Sequence, residues 1–192
     1  MKKYSLVYRL IHWAIAIAFI MLLVTIILRL TWLNKFHVAG IIGNFLQGTS
    51  ESLSEDQLIT LAKKIREPMW NWHIYLGFIL TILFAIRIFL GGIGKMKFQN
   101  PVDKQLRSKG KFQRWVYLFF YLFVVVSLIT GIMIEQGPAD MKGLVEGIHK
   151  LSIYYLIAFV GLHLAGVLLA ELTDQQGIIS RIINGSGPDD SN

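Results

Sequence analysis

Four long apolar stretches are the feature that most constrains the fold of this 192-residue chain. They cover about residues 10–33, 70–93, 115–134 and 147–171. A hydrocarbon core about 30 Å thick is crossed by roughly 20 residues in a helix, and each stretch supplies that number. Strands would need a closed barrel with alternating polarity, which these stretches lack. The sequence therefore predicts an all-α membrane protein in which a bundle of four transmembrane helices forms one domain over residues 1–192.

The composition agrees with a membrane protein, since 54% of the residues are hydrophobic and only 16% are charged. The formal net charge is +7, but the basic residues cluster beside the apolar stretches, so we expect no nucleic-acid partner. Met1-Lys2-Lys3 resembles the start of a signal peptide. The apolar run that follows is too long, and no small-residue cleavage site comes after it, so we expect the first span to be retained.

Lysine and arginine near the span ends predict the orientation, because excess positive charge stays in the cytoplasm. One side of the predicted bundle has eleven such residues and the other has six. The eleven are Lys2, Lys3, Arg9, Lys95, Lys97, Lys104, Arg107, Lys109, Lys111, Arg114 and Arg181. Both termini are therefore predicted to be cytoplasmic, and the 34–69 connection is predicted to lie outside.

The 34–69 connection contains a helix signal of its own. Ser54 to Gln57 resembles a helix cap, and apolar residues follow it at helical spacing. We expect a short amphipathic helix on the outer surface that Pro68 ends before the second span.

Four of the five histidines, namely His12, His73, His149 and His163, lie within or at the ends of the spans, where polar groups are costly and often functional. His149 and His163 are 14 residues apart, which is close to four helical turns and about 21 Å along one face. A haem iron needs two imidazoles at one depth of the membrane. Depth pairs His73 with His149 at an outer site and His12 with His163 at an inner site, and this predicts two haems.

Other interpretations of the histidines remain open. A membrane histidine can hydrogen-bond another helix or line a water cavity. A zinc site is not indicated, because no H-x-x-x-H motif or carboxylate cluster accompanies these residues. His37 has no partner at its depth and is expected to be solvated.

Arg87 follows His73 by 14 residues and is expected at the depth of the inner site. It could pair with a haem propionate or extend to the cytoplasmic interface. Arg9 and Lys150 lie near proposed ligands and are further propionate candidates, whereas Arg29 is expected to extend to the interface.

Glycines lie near the proposed ligands on three of the spans. Gly77, Gly131 and Gly166 lack side chains that would obstruct a flat macrocycle. Close packing of helices through small residues explains each of them equally well.

The motifs in these spans resemble those of the bacterial cytochrome b561 family, which includes the b-type cytochrome subunits of nickel–iron hydrogenases. The resemblance covers about residues 4–185. The matching segments are Tyr4-Ser5-Leu6, Arg9-Leu10-Ile11-His12-Trp13, His73-Ile74-Tyr75-Leu76-Gly77 with Arg87, His149-Lys150, Gly161-Leu162-His163, Glu171 and residues 177–185.

The resemblance implies four helices, two b haems and electron exchange with ubiquinone or menaquinone in the bacterial inner membrane. It favours an electron-transfer subunit of a respiratory oxidoreductase over a self-contained enzyme. The expected outer partner is a periplasmic dehydrogenase, a hydrogenase subunit or a c-type cytochrome. Two alternatives are a superoxide:quinone oxidoreductase, an activity known in this family, and a haem-free helical scaffold.

Overall fold

The computed structural model describes residues 4–94, 108–173 and 175–185, and all regular structure in these residues is helical. The helices are α1 (Leu6–Leu30), α2 (Lys35–Leu46), α3 (Glu55–Gly92), α4 (Ser108–Gln136), α5 (Lys142–Lys150), α6 (Ser152–Leu172) and α7 (Ile178–Ile183), with a short 3₁₀ turn at Ala139–Met141.

Four helical segments in the described residues are long and apolar enough to cross a membrane: Leu6–Leu30, Glu55–Gly92, Ser108–Gln136 and Ala139–Leu172. Many of their large apolar side chains are exposed, as lipid-facing side chains are expected to be. The prediction of an all-helical protein with four helices long and apolar enough to span a membrane is confirmed. Much of the charge that predicts the orientation lies outside the described residues, at Lys2, Lys3, Lys95, Lys97, Lys104 and Arg107.

The chain divides into two compact units. The first, called unit 1, contains residues 1–15 and 81–192, and the second, called unit 2, contains residues 16–80. Helices α1 and α3 each contribute residues to both units.

In unit 2, α2 packs on the first turns of α3. Val38, Ala39 and Ala62 form a small buried core. Asn34 begins α2, since its side-chain oxygen accepts a hydrogen bond from the backbone N–H of Phe36 at 3.0 Å. Helix α2 was not predicted from the sequence.

The start of α3 is the cap that the sequence predicts, but the helix does not end at Pro68. Ser54 Oγ accepts from Gln57 N at 3.3 Å, and Gln57 Oε1 accepts from Ser54 N at 2.8 Å, which is a reciprocal capping box. The helix then continues through Pro68 to Gly92, so the prediction of a short separate helix was wrong. A proline removes one hydrogen bond and crowds one carbonyl of the preceding turn, but the apolar residues after it must stay helical to satisfy their backbone in lipid.

In unit 1, α4 packs against α5 and α6. Phe120 of α4 and Phe159 of α6 stack with ring centroids 3.4 Å apart. Leu151 stands between α5 and α6 with helical backbone angles, φ −67° and ψ −15°. The chain thus keeps a helical path from His149 towards His163, with one turn residue interrupting the hydrogen-bond ladder.

Helix α7 is held to the end of α6 by a carboxylate. The two oxygens of Glu171 accept the backbone N–H groups of Gly177 and Ile179 at 2.8 and 3.0 Å. Gly177 has φ 77°, a left-handed conformation that glycine adopts readily and that reverses the chain before α7. Arg181 is 6% exposed and donates to the carbonyls of Gln175 and Gln176.

The other end of α7 contacts the first turns of α1. Arg9 Nη1 donates to the carbonyl of Ile183 at 2.9 Å, and Trp13 Nε1 donates to that of Ile182 at 3.2 Å. These donors satisfy carbonyls at the helix end, which have no partner within α7 itself. We call α7 with Glu171, Arg181, Arg9 and Trp13 the C-terminal clasp.

Candidate functional site

The structure brings together two of the four predicted ligand histidines, His12 of α1 and His163 of α6. Their ring centroids are 6.1 Å apart, with an angle of 47° between the ring planes. Two imidazoles that share a metal ion have ring centres roughly 6 Å apart, because each metal–nitrogen bond is about 2 Å and each ring adds about 1 Å. Both residues belong to unit 1 and both are partly buried. Their spacing is therefore suited to a shared iron.

Aromatic side chains surround this pair. Tyr8 stacks beside His12 at 6.5 Å, and Phe159 stacks beside His163 at 5.7 Å. The hydroxyl of Tyr117 lies 3.2 Å from His163 Nδ1. A tyrosine hydroxyl can accept a hydrogen bond from Nδ1–H, and in that arrangement the lone pair of the His163 ring is on Nε2.

His149 lies at the end of α5 and is hydrogen-bonded to α4. Its Nδ1 is 3.0 Å from the carbonyl oxygen of Ser127 and 3.1 Å from Thr130 Oγ1. A carbonyl oxygen only accepts, so Nδ1 carries the proton and Nε2 carries the lone pair. Ligand histidines in metal sites usually donate their second ring nitrogen to a protein oxygen in this way.

Gly131 contacts the ring of His149. A Cβ at this position would lie 3.2 Å from His149 Cε1, closer than ordinary van der Waals contact. The glycine therefore leaves room for the imidazole itself. A Cβ at Gly77 or Gly166 would meet no atom within 4 Å, which agrees with open space at both positions.

His73 lies on α3 in unit 2, where its Nδ1 is 2.8 Å from the hydroxyl oxygen of Thr25 on α1. The ring also stacks on Trp70, with centroids 4.7 Å apart. Trp70 in turn lies 4.3 Å from the guanidinium of Arg29. His73 and His149 belong to different units, and their pairing remains a prediction.

The candidate propionate partners lie in different surroundings. Arg87 donates from Nε to the hydroxyl of Tyr121 at 2.9 Å, and its guanidinium lies 5.0 Å from the ring of Tyr8. Since Tyr8 stacks on His12, Arg87 lies one ring away from the inner pair.

Arg9 and Lys150 have other contacts. Arg9 takes part in the C-terminal clasp, and its buried Nε has no hydrogen-bond partner among the described residues. Lys150 forms an exposed ion pair with Glu146 at 2.9 Å.

The fifth histidine, His37, is exposed on α2, as the sequence predicts. Among the described residues, no three histidine, cysteine or acidic side chains converge as a metal site.

Four partners of the histidines were not predicted: Thr25, Tyr117, Ser127 and Thr130. A signal was present for the two threonines, since each is a polar residue within an apolar run. Nothing in the sequence indicates which side chain on another helix each one contacts.

The comparisons with known proteins identify one family. A family described as Prokaryotic cytochrome b561 matches residues 3–185. Neither a curated protein nor a solved structure matches the chain.

Proposed function

The chain belongs to the prokaryotic cytochrome b561 family, and from this membership and the paired histidines we propose a di-haem membrane cytochrome that transfers electrons between an outer redox partner and the quinone pool. The observation that carries the proposal is the pair His12 and His163, with rings 6.1 Å apart within two apolar spans. A haem b supplies reversible one-electron reduction of its iron when it is bound.

The residues present fit a haem at the inner position. His12 and His163 supply two imidazoles at a suitable spacing, and the Tyr117 hydroxyl can accept a hydrogen bond from Nδ1–H of His163. Arg87 lies one aromatic ring from His12 and supplies a positive charge for a propionate.

The proposed outer ligands are His73 and His149, which the sequence pairs by depth. The hydrogen bond of each Nδ1 supports this role, because each histidine then presents Nε2 as its ligating nitrogen. The open space at Gly77, one turn after His73, agrees with a flat group beside α3. An outer and an inner site would carry electrons across the low-dielectric layer in two steps.

The proposed role in the cell is that of an electron-transfer subunit of a respiratory oxidoreductase in the bacterial inner membrane. Unit 2 supports this role, because α2 and the first turns of α3 add a folded segment between the first two spans. We propose this segment as the docking surface for an outer partner such as a dehydrogenase, a hydrogenase subunit or a c-type cytochrome.

The decisive experiment measures haem per chain in the protein purified in detergent. A pyridine haemochrome assay should give two haems b per chain, and a quinol should reduce both in the reduced-minus-oxidised spectrum. The absence of an alpha band would favour the haem-free scaffold. A protein with two haems that superoxide reduces faster than any protein partner would instead be an oxidoreductase in its own right.

A further inference from the structure

Two threonines inside the spans are buried and contact histidines. Thr25 on α1 and Thr130 on α4 are each 7% exposed. Thr25 contacts His73, and Thr130 contacts His149. These are the two histidines proposed above for the outer haem.

The hydrogen bonds of Thr25 determine the tautomer of His73. A threonine hydroxyl has one proton, and Thr25 Oγ1 lies 2.6 Å from the carbonyl oxygen of Leu22, which can only accept it. The hydroxyl oxygen must then accept from His73 Nδ1 at 2.8 Å. His73 is therefore protonated at Nδ1 and carries its lone pair on Nε2.

Thr130 repeats this arrangement on another helix. Its hydroxyl lies 2.8 Å from the carbonyl of Val126 and 3.1 Å from that of Ser127, either of which takes the proton. Its oxygen then accepts from His149 Nδ1 at 3.1 Å, and the Ser127 carbonyl accepts from the same nitrogen. His149 has the same tautomer as His73.

We propose that Thr25 and Thr130 are positioning residues that hold His73 and His149 as Nδ1–H tautomers, so that Nε2 is the nitrogen with which each of them would ligate haem iron. This inference rests on the proposed function. The opposite tautomer would place a lone pair on Nδ1 against an oxygen that has no proton to donate. Inside a membrane there is no bulk water to relieve that conflict, so Thr25 fixes the proton and the rotation of the His73 ring, and Thr130 does the same for His149 together with the carbonyl of Ser127.

A helix-capping or packing role does not account for these contacts. Thr31 and Thr173 also donate to carbonyls of their own helices, at 2.7 and 2.6 Å, but both are exposed near helix ends. The bond to the helix carbonyl is thus common to threonines in this chain. The burial and the contact with a histidine distinguish Thr25 and Thr130.

The test compares Thr25→Val and Thr130→Val with Thr25→Ser and Thr130→Ser. Valine keeps the shape of threonine and removes the hydroxyl, whereas serine keeps the hydroxyl. The matched control is Thr31→Val, which removes a hydroxyl with the same type of helix bond at an exposed site. Outer haem retention is measured as transfer to excess apomyoglobin, and the low-spin electron paramagnetic resonance signal of each haem is recorded.

We expect both valine variants to lose the outer haem about 10–100-fold more readily than wild type, as for other partners of metal-ligating histidines. The outer signal should shift, the inner signal should not, and the serine and Thr31→Val variants should resemble wild type. Valine variants that match Thr31→Val overturn the inference, and so does equal haem loss in the serine and valine variants. If a valine variant loses helical content by circular dichroism, the serine variant at the same position becomes the test. Haem retention equal to wild type in the serine variant supports the hydroxyl as the group that matters, and reduced haem retention contradicts the inference.

The failure of the inference is distinguishable from the failure of the proposed function. A wild-type protein without two haems contradicts the proposed function and the inference with it. A wild-type protein with two haems, both insensitive to the four threonine variants, contradicts the inference alone.

Discussion

The four membrane histidines have different neighbours, and these neighbours suggest different roles for the two proposed sites. His73 and His149 are anchored through Nδ1 to oxygens of adjacent helices. His12 and His163 lie among aromatic rings, and the Tyr117 hydroxyl lies 3.2 Å from His163 Nδ1. Donating a hydrogen bond from Nδ1 to an oxygen makes an imidazole a stronger donor to iron. At the proposed outer site both histidines donate to an oxygen, so we expect the iron there to be the more electron-rich of the two.

Single histidine substitutions test the pairing directly. We expect His12→Ala and His163→Ala each to remove the same haem, while His73→Ala and His149→Ala each remove the other, so that every variant retains about one of two haems. Haem content and the reduced-minus-oxidised spectrum measure this outcome. His37→Ala, at an exposed position on α2, is the matched control and should keep both haems. Loss of one spectral component by both His12→Ala and His73→Ala would show that the pairing is wrong.

At the scale of single residues, the sequence predicts which residues lie at the same depth better than it predicts which residues hydrogen-bond to each other. The sequence places His12 and His163 in the same half of the membrane, and the structure places their rings 6.1 Å apart. The sequence does not predict the contacts of Thr25 and Thr130 with histidines, because a contact between two helices depends on how each helix is rotated about its axis. Arg9 was predicted as a propionate partner, and its bond to the carbonyl of Ile183, 174 residues away along the chain, depends on the turn at Gly177.

Among the elements, the helices that cross the membrane are well predicted and the segments between them are not. The boundaries differ most where a polar helix continues into an apolar one, as α3 does through Pro68. Helix α2 was missed because its glycines and short length resemble a loop, and the packing of Val38 and Ala39 on α3 is what stabilises it. Lipid enforces helices in the spans, whereas tertiary packing decides the connections.

The C-terminal clasp is an element whose stability depends on a buried charge. Arg181→Gln removes the guanidinium that bonds the carbonyls of Gln175 and Gln176. Charge-assisted hydrogen bonds of this kind contribute about 1–3 kcal/mol, so we expect amide exchange in Ile178–Ile183 to become roughly 5- to 150-fold faster. Hydrogen exchange with mass spectrometry measures the change.

The control for the clasp is Lys142→Gln, which removes an exposed positive charge elsewhere in unit 1. An exposed lysine contributes little, and exchange in α7 should stay within about 2-fold of wild type. If both variants accelerate exchange equally, net charge rather than the Arg181 bonds holds α7. Because Arg9 and Trp13 flank His12 along α1, a loosened clasp should also broaden the spectrum of the proposed inner haem.

For the whole molecule, the proposed electron path needs a direction as well as its two proposed sites. An electron that enters from an outer partner must meet the outer site first, and this order depends on which connections face outward. The proposed docking segment of unit 2 and His73 lie in the same part of the chain in either orientation, and they face an outer partner only if the 34–69 connection is external. The distribution of lysine and arginine predicts that it is.

Cysteine labelling tests this orientation in intact cells, because the chain has no cysteine of its own. Ser52 and Ser108 are exposed residues at opposite ends of predicted spans, in the 34–69 and 94–114 connections. We expect a membrane-impermeant maleimide to label Ser52→Cys in intact cells, and to label Ser108→Cys only after the membrane is permeabilised. The reverse pattern would place both termini outside and turn the proposed electron path around. Labelling of both sites in intact cells would mean that both lie on the outer side, so that the segment between them does not make a single crossing of the membrane. That result is incompatible with the ligand depths on which the pairing of His73 with His149 depends.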